Sequence, residues 1–387
     1  MQYSDRLSKI PPYLFVEISK KIAAKKAAGE EVISFGIGDP DMPTPDFVID
    51  ALCQAARKPE NHKYPETDGT KQSRQAIAGW YKKRFDVDLE EQSQVLPLIG
   101  SKEGIAHVAL CFIDQGDIAL VPDPGYPVYS MGTILAGGTP YYIPLKEENG
   151  FLPDLEAIPA DIAKKAKVMW LNYPNNPTGA VADLKFFQKA VDFAKKYDVV
   201  LFNDAPYTEI AFDGYKPASL LQIDDAKDIA VEFHSVSKTY NMCGWRFGFA
   251  VGNTGIIKAL GTIKSNMDSG VPGAIQEMAA SALEGSQDYL EELRGLYQRR
   301  RDKMCRVLKD LGFKINEPKA SLYIWAKVPD GYTSAEAAAD ILEQTGIVVT
   351  PGSGYGPSGE GYIRLSMTVP EEQLDKGLVK LAQWKKR

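Results

Sequence analysis

Cysteine is scarce and scattered in this sequence. The four cysteines, Cys53, Cys111, Cys243 and Cys305, fall in no CxxC spacing along 387 residues. That excludes a disulfide scaffold, argues against a zinc ribbon and fits a reducing, cytoplasmic setting. Histidine is rarer still. His62, His107 and His234 make no HExxH or HxxxH, so no metal centre is expected and all three read as packing or surface residues. No run of about 18 apolar residues occurs, which excludes a spanning helix. The first fifteen residues carry Asp5, Arg6 and Lys9 without an apolar core and are not expected to be a secretory signal. Positive charge is not in excess either: 45 Lys and Arg stand against 51 Asp and Glu, a net charge of −6. That balance argues against a protein built to hold nucleic acid, while leaving room for a local basic cleft around a phosphate.

What is present is ordinary globular material, 44% hydrophobic and 25% charged, long enough for two or three compact units at about 150 residues each. Residues 19–29 read as a helix with lysines at 20, 21, 25 and 26 and a glycine stop. A short strand, Val32–Phe35, then enters a Gly-Ile-Gly turn. From there to about residue 280, short apolar runs alternate with amphipathic stretches. The runs are Val95–Ile99, Ile118–Val121, Val168–Leu171, Val199–Phe202, Ile229–Phe233 and Phe247–Val251. The helical pattern is clearest at Leu184–Tyr197, with apolar residues at 184, 187, 190, 191 and 194. Buried short strands alternating with helices predict an α/β domain with a mostly parallel sheet. A long helix over about 287–311 leads into a smaller α+β unit containing Leu322–Ala326 and Tyr362–Ser366. The expected division is an N-terminal arm and part of the small domain at 1–40, a large domain at 41–290 and a small C-terminal domain at 291–387.

In open α/β sheets, ligands bind beyond the carboxyl ends of the strands. That rule converts the strand list into a site list. One strand end carries Gly100, Ser101 and Lys102 at the start of a helix, a fair anion site because free N–H groups and the helix dipole both favour phosphate. Others carry Asp123–Pro127 with Tyr126, Asn172–Gly179, and Asn203–Tyr207. The last is followed by Ser235-x-Ser237–Lys238 and then Gly244–Trp245–Arg246, which brings two hydroxyls, a lysine and an arginine to one strand. Other glycine signals are weaker. Gly36-x-Gly38 has Asp41 where a dinucleotide fingerprint needs its third glycine, no GxxxxGK[ST] occurs, and Gly352–Gly356 reads as a turn.

Read together and in order, Asn175–Gly179, Asp204–Tyr207, Ser235–Lys238, Gly244–Gly248 and Tyr362–Ser366 resemble the class I and II aminotransferases of PLP fold type I. The resemblance covers nearly the whole chain. It implies a large domain with a mostly parallel central sheet, a smaller α+β domain built from both chain ends, and pyridoxal 5′-phosphate as cofactor. By this likeness Lys238 carries the cofactor and shuttles the substrate proton, and Asp204 pairs with the pyridine nitrogen. Tyr207 and Asn176 bond the phenolic oxygen, and Tyr126 stacks on the ring. Ser101, Lys102, Ser235, Ser237 and Arg246 hold the phosphate. Tyr64 matches a tyrosine that family dimers extend to the neighbour's phosphate, which implies a homodimer with composite sites. Arg364 takes the substrate carboxylate, its planar fork matching that group as a lysine cannot.

Within that family the chain is most similar to the LL-diaminopimelate aminotransferases. The likeness rests on residues 10–15 and 36–45 and on Gly100–Gly104 and Pro122–Tyr129, and it makes Tyr13, Gly38 and Lys102 substrate contacts. It implies transfer between LL-2,6-diaminopimelate and 2-oxoglutarate in lysine and cell-wall precursor synthesis, with small amino and oxo acids as the partners and neither nucleic acid nor membrane. Thr67 stands where some members place an acid, with Glu66 one position earlier, so the group that reads the distal ammonium stays open. The alternatives are a fold type I transaminase for aspartate, alanine or aromatic amino acids and, more remotely, a non-catalytic regulator on the same fold.

Overall fold

The computed structural model describes residues 3–10, 20, 22–25 and 27–386. Its centre is a seven-stranded sheet. In chain order the strands are β1 (Val95–Leu98), β2 (Ile118–Asp123), β3 (Thr139–Pro144), β4 (Ala166–Leu171), β5 (Val200–Asp204), β6 (Ala230–Ser235) and β7 (Gly248–Gly252). Their spatial order is β1-β7-β6-β5-β4-β2-β3. Every pairing is parallel except the two made by β7. The sheet is therefore α/β and mostly parallel, as the alternating pattern predicts. Six strands coincide with the apolar runs because the sheet is covered on both faces, so neither face of a strand has to be polar. The seventh, β3, carries no such run. It is an edge strand whose residues are largely solvent-accessible, and two prolines sit at an edge without breaking a ladder.

Helices cover both faces. Leu184–Tyr197 is capped by the Asp183 carboxylate, which accepts from the Phe186 amide at 2.8 Å. It buries Phe187, Ala190, Val191 and Ala194 as its spacing predicts. Leu184 is instead 43% exposed at the first turn, and Phe186 fills that part of the face. Among the described residues, no helix is long and apolar enough to cross a membrane.

A second sheet, four-stranded and antiparallel, contains β8 (Lys314–Ile315), β9 (Tyr323–Lys327), β10 (Thr350–Pro351) and β11 (Tyr362–Ser366) in the order β10-β11-β9-β8. Ile33–Ser34 pairs in parallel with Ile347–Val348, so the segment before the large sheet lies against the C-terminal part of the chain. Gly352–Tyr355 forms a short 3-10 turn. The long helix, Asp288–Asp310, fixes the turn that follows Ile33–Ser34. Buried Arg300 forks onto both Asp41 oxygens at 2.7 and 2.9 Å, a bidentate geometry that holds orientation as well as charge.

Candidate active site

The C-terminal ends of β2, β4, β5 and β6 open onto a cavity of about 490 Å³. At its floor, Asp204 is the last residue of β5 and is almost fully buried. Its Oδ2 accepts from the Tyr129 hydroxyl at 2.7 Å, while Oδ1 has no partner. Burial pushes the Asp204 pKa up to about 7, with the Tyr129 hydrogen bond acting the other way. Tyr129 is itself held flat on Trp170, ring centroids 4.9 Å apart. A buried carboxylate with one oxygen unmet is costly, and a donor or cation entering the cavity would satisfy it.

The segment after β4 is wound by its own amides. Asn175 Oδ1 accepts from both the amide and hydroxyl of Thr178, and Asn172 Oδ1 accepts from the Asn176 amide at 2.8 Å. Asn172 also donates to the Asp204 carbonyl at 2.6 Å, which ties this loop to the floor. Asn176 is left on the cavity wall, which Tyr126 and Tyr207 also line.

The opposite pole is built for an anion. Gly100, at φ +74, turns the chain into helix Ser101–Phe112, whose first residues face the cavity. Its missing Cβ admits Arg246, since an added methyl would lie 2.4 Å from Nη2. Gly248 is as constrained, because a methyl there would meet the Ser101 amide at 2.4 Å. Ser235 ends β6 and caps the single turn Val236–Thr239, which carries Ser237 and Lys238. Lys238 Nζ donates to the Gly38 carbonyl at 3.0 Å and lies 3.4 Å from Cys243 Sγ. Burial raises the Cys243 thiol pKa. Lys102 also lines the cavity, its Nζ 5.9 Å from the Tyr126 ring.

Arg364 stands behind this wall. Fully buried on β11, it donates to Asn176 Oδ1 at 3.0 Å and to the Gly36 carbonyl at 2.6 Å. The structure therefore gathers eleven of the sequence candidates around one cavity: Gly38, Ser101, Lys102, Tyr126, Asn176, Asp204, Tyr207, Ser235, Ser237, Lys238 and Arg246. Arg364 touches it through Asn176. Tyr64 is 89% exposed and does not line it. Tyr13 lies outside the described residues. Sequence reasoning missed Tyr129, Tyr323 and Cys243, and gave Asn172 no role. Tyr129 had no local signal for its contact with Asp204, 75 residues away. Tyr323 had none, because only the fold brings β9 to this cavity.

His107, Glu103 and Asp268 also converge, but the Lys264 ammonium lies among them and bonds Glu103 at 3.3 Å and Asp268 at 3.0 Å. An internal cation already meets those carboxylates.

The family model described as aminotransferase class I and II matches residues 30–381. An LL-diaminopimelate aminotransferase of Dehalococcoides mccartyi is 60% identical over 100% of this chain and 99% of its own length. One from Moorella thermoacetica is 54% identical, with 98% of each chain covered. Among solved structures, a mutant aspartate aminotransferase of Thermus thermophilus superposes with a TM-score of 0.93 at 26% identity, covering 100% of both chains.

Proposed function

The chain belongs to the class I and II aminotransferases, and from that membership we propose that it moves an amino group between LL-2,6-diaminopimelate and 2-oxoglutarate on pyridoxal 5′-phosphate. The products are L-glutamate and, after cyclisation, tetrahydrodipicolinate. Support for the substrate comes from the full-length similarity to relatives that carry this activity in their name.

Support for the cofactor comes from the cavity itself. The observation that carries it is the unpartnered Asp204 Oδ1, sharing one cavity with a lysine and an amide-lined anion pole. A pyridine nitrogen bearing a proton satisfies that oxygen, and the added positive charge favours ionised Asp204. A phosphate suits Ser101, Ser235, Ser237 and Arg246, where two missing Cβ atoms let backbone and guanidinium close in. Bound there, the cofactor supplies the electron sink for the pair released when the substrate Cα–H bond breaks.

The chain's own residues do the rest. Lys238 carries the cofactor and then moves the proton from substrate Cα. Asn176 and Tyr207 donate to the phenolic oxygen, and Tyr126 covers the ring. Arg364 and the Gly38 backbone receive the α-carboxylate, with Lys102 and Tyr13 as further substrate contacts. Among the described residues, Asp39 and Asp204 are the acidic residues lining the cavity. With Asp204 committed to the ring nitrogen, Asp39 is the group we assign to the distal ammonium. Tyr64, exposed on the single chain, completes the phosphate site of a second copy in a homodimer.

Borohydride reduction followed by peptide mapping should find the pyridoxyl group on Lys238; label on another lysine overturns the assignment. A stopped-flow half-reaction should rank LL-diaminopimelate first. Because inverting the distal centre strands charged hydrogen-bonding groups, the meso form should be slower by roughly 10- to 100-fold. Faster conversion by aspartate or alanine removes the substrate while leaving the chemistry.

A further inference from the structure

Tyr323 is the first residue of β9 and lines the cavity, almost fully buried. It touches both halves of the site. Its hydroxyl lies 3.2 Å from the Tyr207 hydroxyl, and its ring meets Tyr207 edge-on at 5.6 Å and 79°. The Arg364 guanidinium carbon sits 4.0 Å from the centre of the same ring. The register explains this contact. Trp325 is directly opposite Arg364 across the β9–β11 pair, so Tyr323, two residues earlier, shares their face as a diagonal neighbour. The ring also packs against the Gly38 backbone: a Cβ at Gly38 would lie 2.5 Å from its Cε1.

We propose that Tyr323 is a positioning residue that couples the tyrosine facing the cofactor to the arginine facing the substrate carboxylate. The inference rests on the cofactor and carboxylate assignments above and adds a member to that site. With Tyr207 donating its proton to the phenolic oxygen, its own oxygen is free to accept, and Tyr323 donates to it. Such a chain polarises itself, so the second hydroxyl strengthens the first one's donation. Tyr323, Asp204, Tyr129 and Arg364 are among the charged and titratable groups around Tyr207, and Tyr323 supplies the adjoining hydroxyl. Independently of the hydroxyl, the ring face holds the Arg364 cation in the plane from which it forks. The hydroxyl thus acts on the cofactor side and the ring on the carboxylate side, which makes the two roles separable by mutation.

The test uses the cofactor-loaded enzyme and two readouts. The first is the pH midpoint of the cofactor's absorbance change in wild type, Tyr207→Phe and Tyr323→Phe. A weaker donor to the phenolic oxygen disfavours the proton-free form. Both variants should therefore shift the midpoint upward, Tyr323→Phe by less. The second is the KM for the amino-acid substrate. Tyr323→Phe keeps the ring and should leave KM unchanged, whereas Tyr323→Leu should raise it about fivefold or more. If Tyr207→Phe moves the midpoint and Tyr323→Phe does not, the relay is overturned while the site reading stands. If Tyr207→Phe itself moves nothing, the cofactor contact of Tyr207 falls, and the relay with it. A wild-type KM in Tyr323→Leu overturns the arginine half. Should the Leu variant fail to fold, Tyr323→His, which retains a ring, and Tyr323→Val, which does not, supply the same KM contrast.

Discussion

Two buried carboxylates stand on neighbouring strands and have opposite surroundings. Glu232 on β6 is fully buried and saturated. It accepts from Tyr81 at 2.8 Å, Ser219 at 2.7 Å, Asn203 at 2.7 Å and the Leu220 amide at 3.0 Å, with His234 Nε2 at 3.1 Å. Asp204 on β5 has one donor, Tyr129, and an oxygen with none. Burial pushes both pKa values up. At Glu232 the contacts from His234, Ser219 and Asn203 outweigh it and the pKa ends below the usual value; at Asp204 it ends near 7. The strand pleat separates them. Glu232 is in register with Asn203, so Asp204, one residue on, points to the other face at the strand's open end. A carboxylate that the fold has satisfied holds the sheet together, and one left half-satisfied at a strand end marks where a ligand belongs.

The largest expected effect is on the saturated side. Glu232→Ala strands several buried donors at about 1–3 kcal/mol each. Allowing for relaxation, unfolding in urea should show a loss of at least about 3–5 kcal/mol. A loss under about 1 kcal/mol would erase the contrast between the two carboxylates. Asp204→Asn should do the reverse. It keeps an acceptor for Tyr129 and should be no less stable than wild type. Its half-reaction should slow by two or more orders of magnitude, about 2.7 kcal/mol in the barrier. A near wild-type rate contradicts the role.

Acid–base linkage sharpens the same contrast. In cofactor-free protein the folded state holds a proton on Asp204 that the unfolded chain has lost. Stability should therefore fall as pH climbs from about 4, the unfolded value, to about 7. Asp204→Asn should remove that slope. Glu232 has the opposite sign: its lowered pKa adds stability above about 4.3 that is lost on further acidification. Denaturant titrations across pH read both slopes. The smallest effect belongs to Asp39, which is exposed at the cavity mouth. Asp39→Asn should slow LL-diaminopimelate about threefold, the scale of an exposed ion pair, without slowing glutamate. Equal slowing of both would move the distal ammonium contact elsewhere.

The strands that position the site were legible because both faces of β4, β5 and β6 are buried and leave continuous apolar runs. Edge strand β3 escaped because its faces are wet and it carries prolines at 140 and 144. The residues that line the cavity were legible as well, since the strand-end rule and the ordered motifs pick out Asn176, Asp204, Ser235 and Lys238. Those that act from behind were not. Tyr129 meets Asp204 across 75 residues and Tyr323 meets Tyr207 across 116, distances over which no local pattern survives. The sequence also gives no sign that Arg364 is covered by Asn176 and by the Tyr323 and Tyr355 rings.

On this reading the unmet oxygen of Asp204 meets a protonated ring nitrogen in the loaded enzyme. Enzyme loaded with pyridoxal phosphate labelled with ¹⁵N in the ring tests this directly by nitrogen NMR. In wild type the resonance should report a pyridinium at neutral pH, and in Asp204→Asn it should move to the value of a neutral pyridine. A neutral ring nitrogen in wild type, or a pyridinium that survives the substitution, would contradict the claim that this half-satisfied carboxylate defines the site.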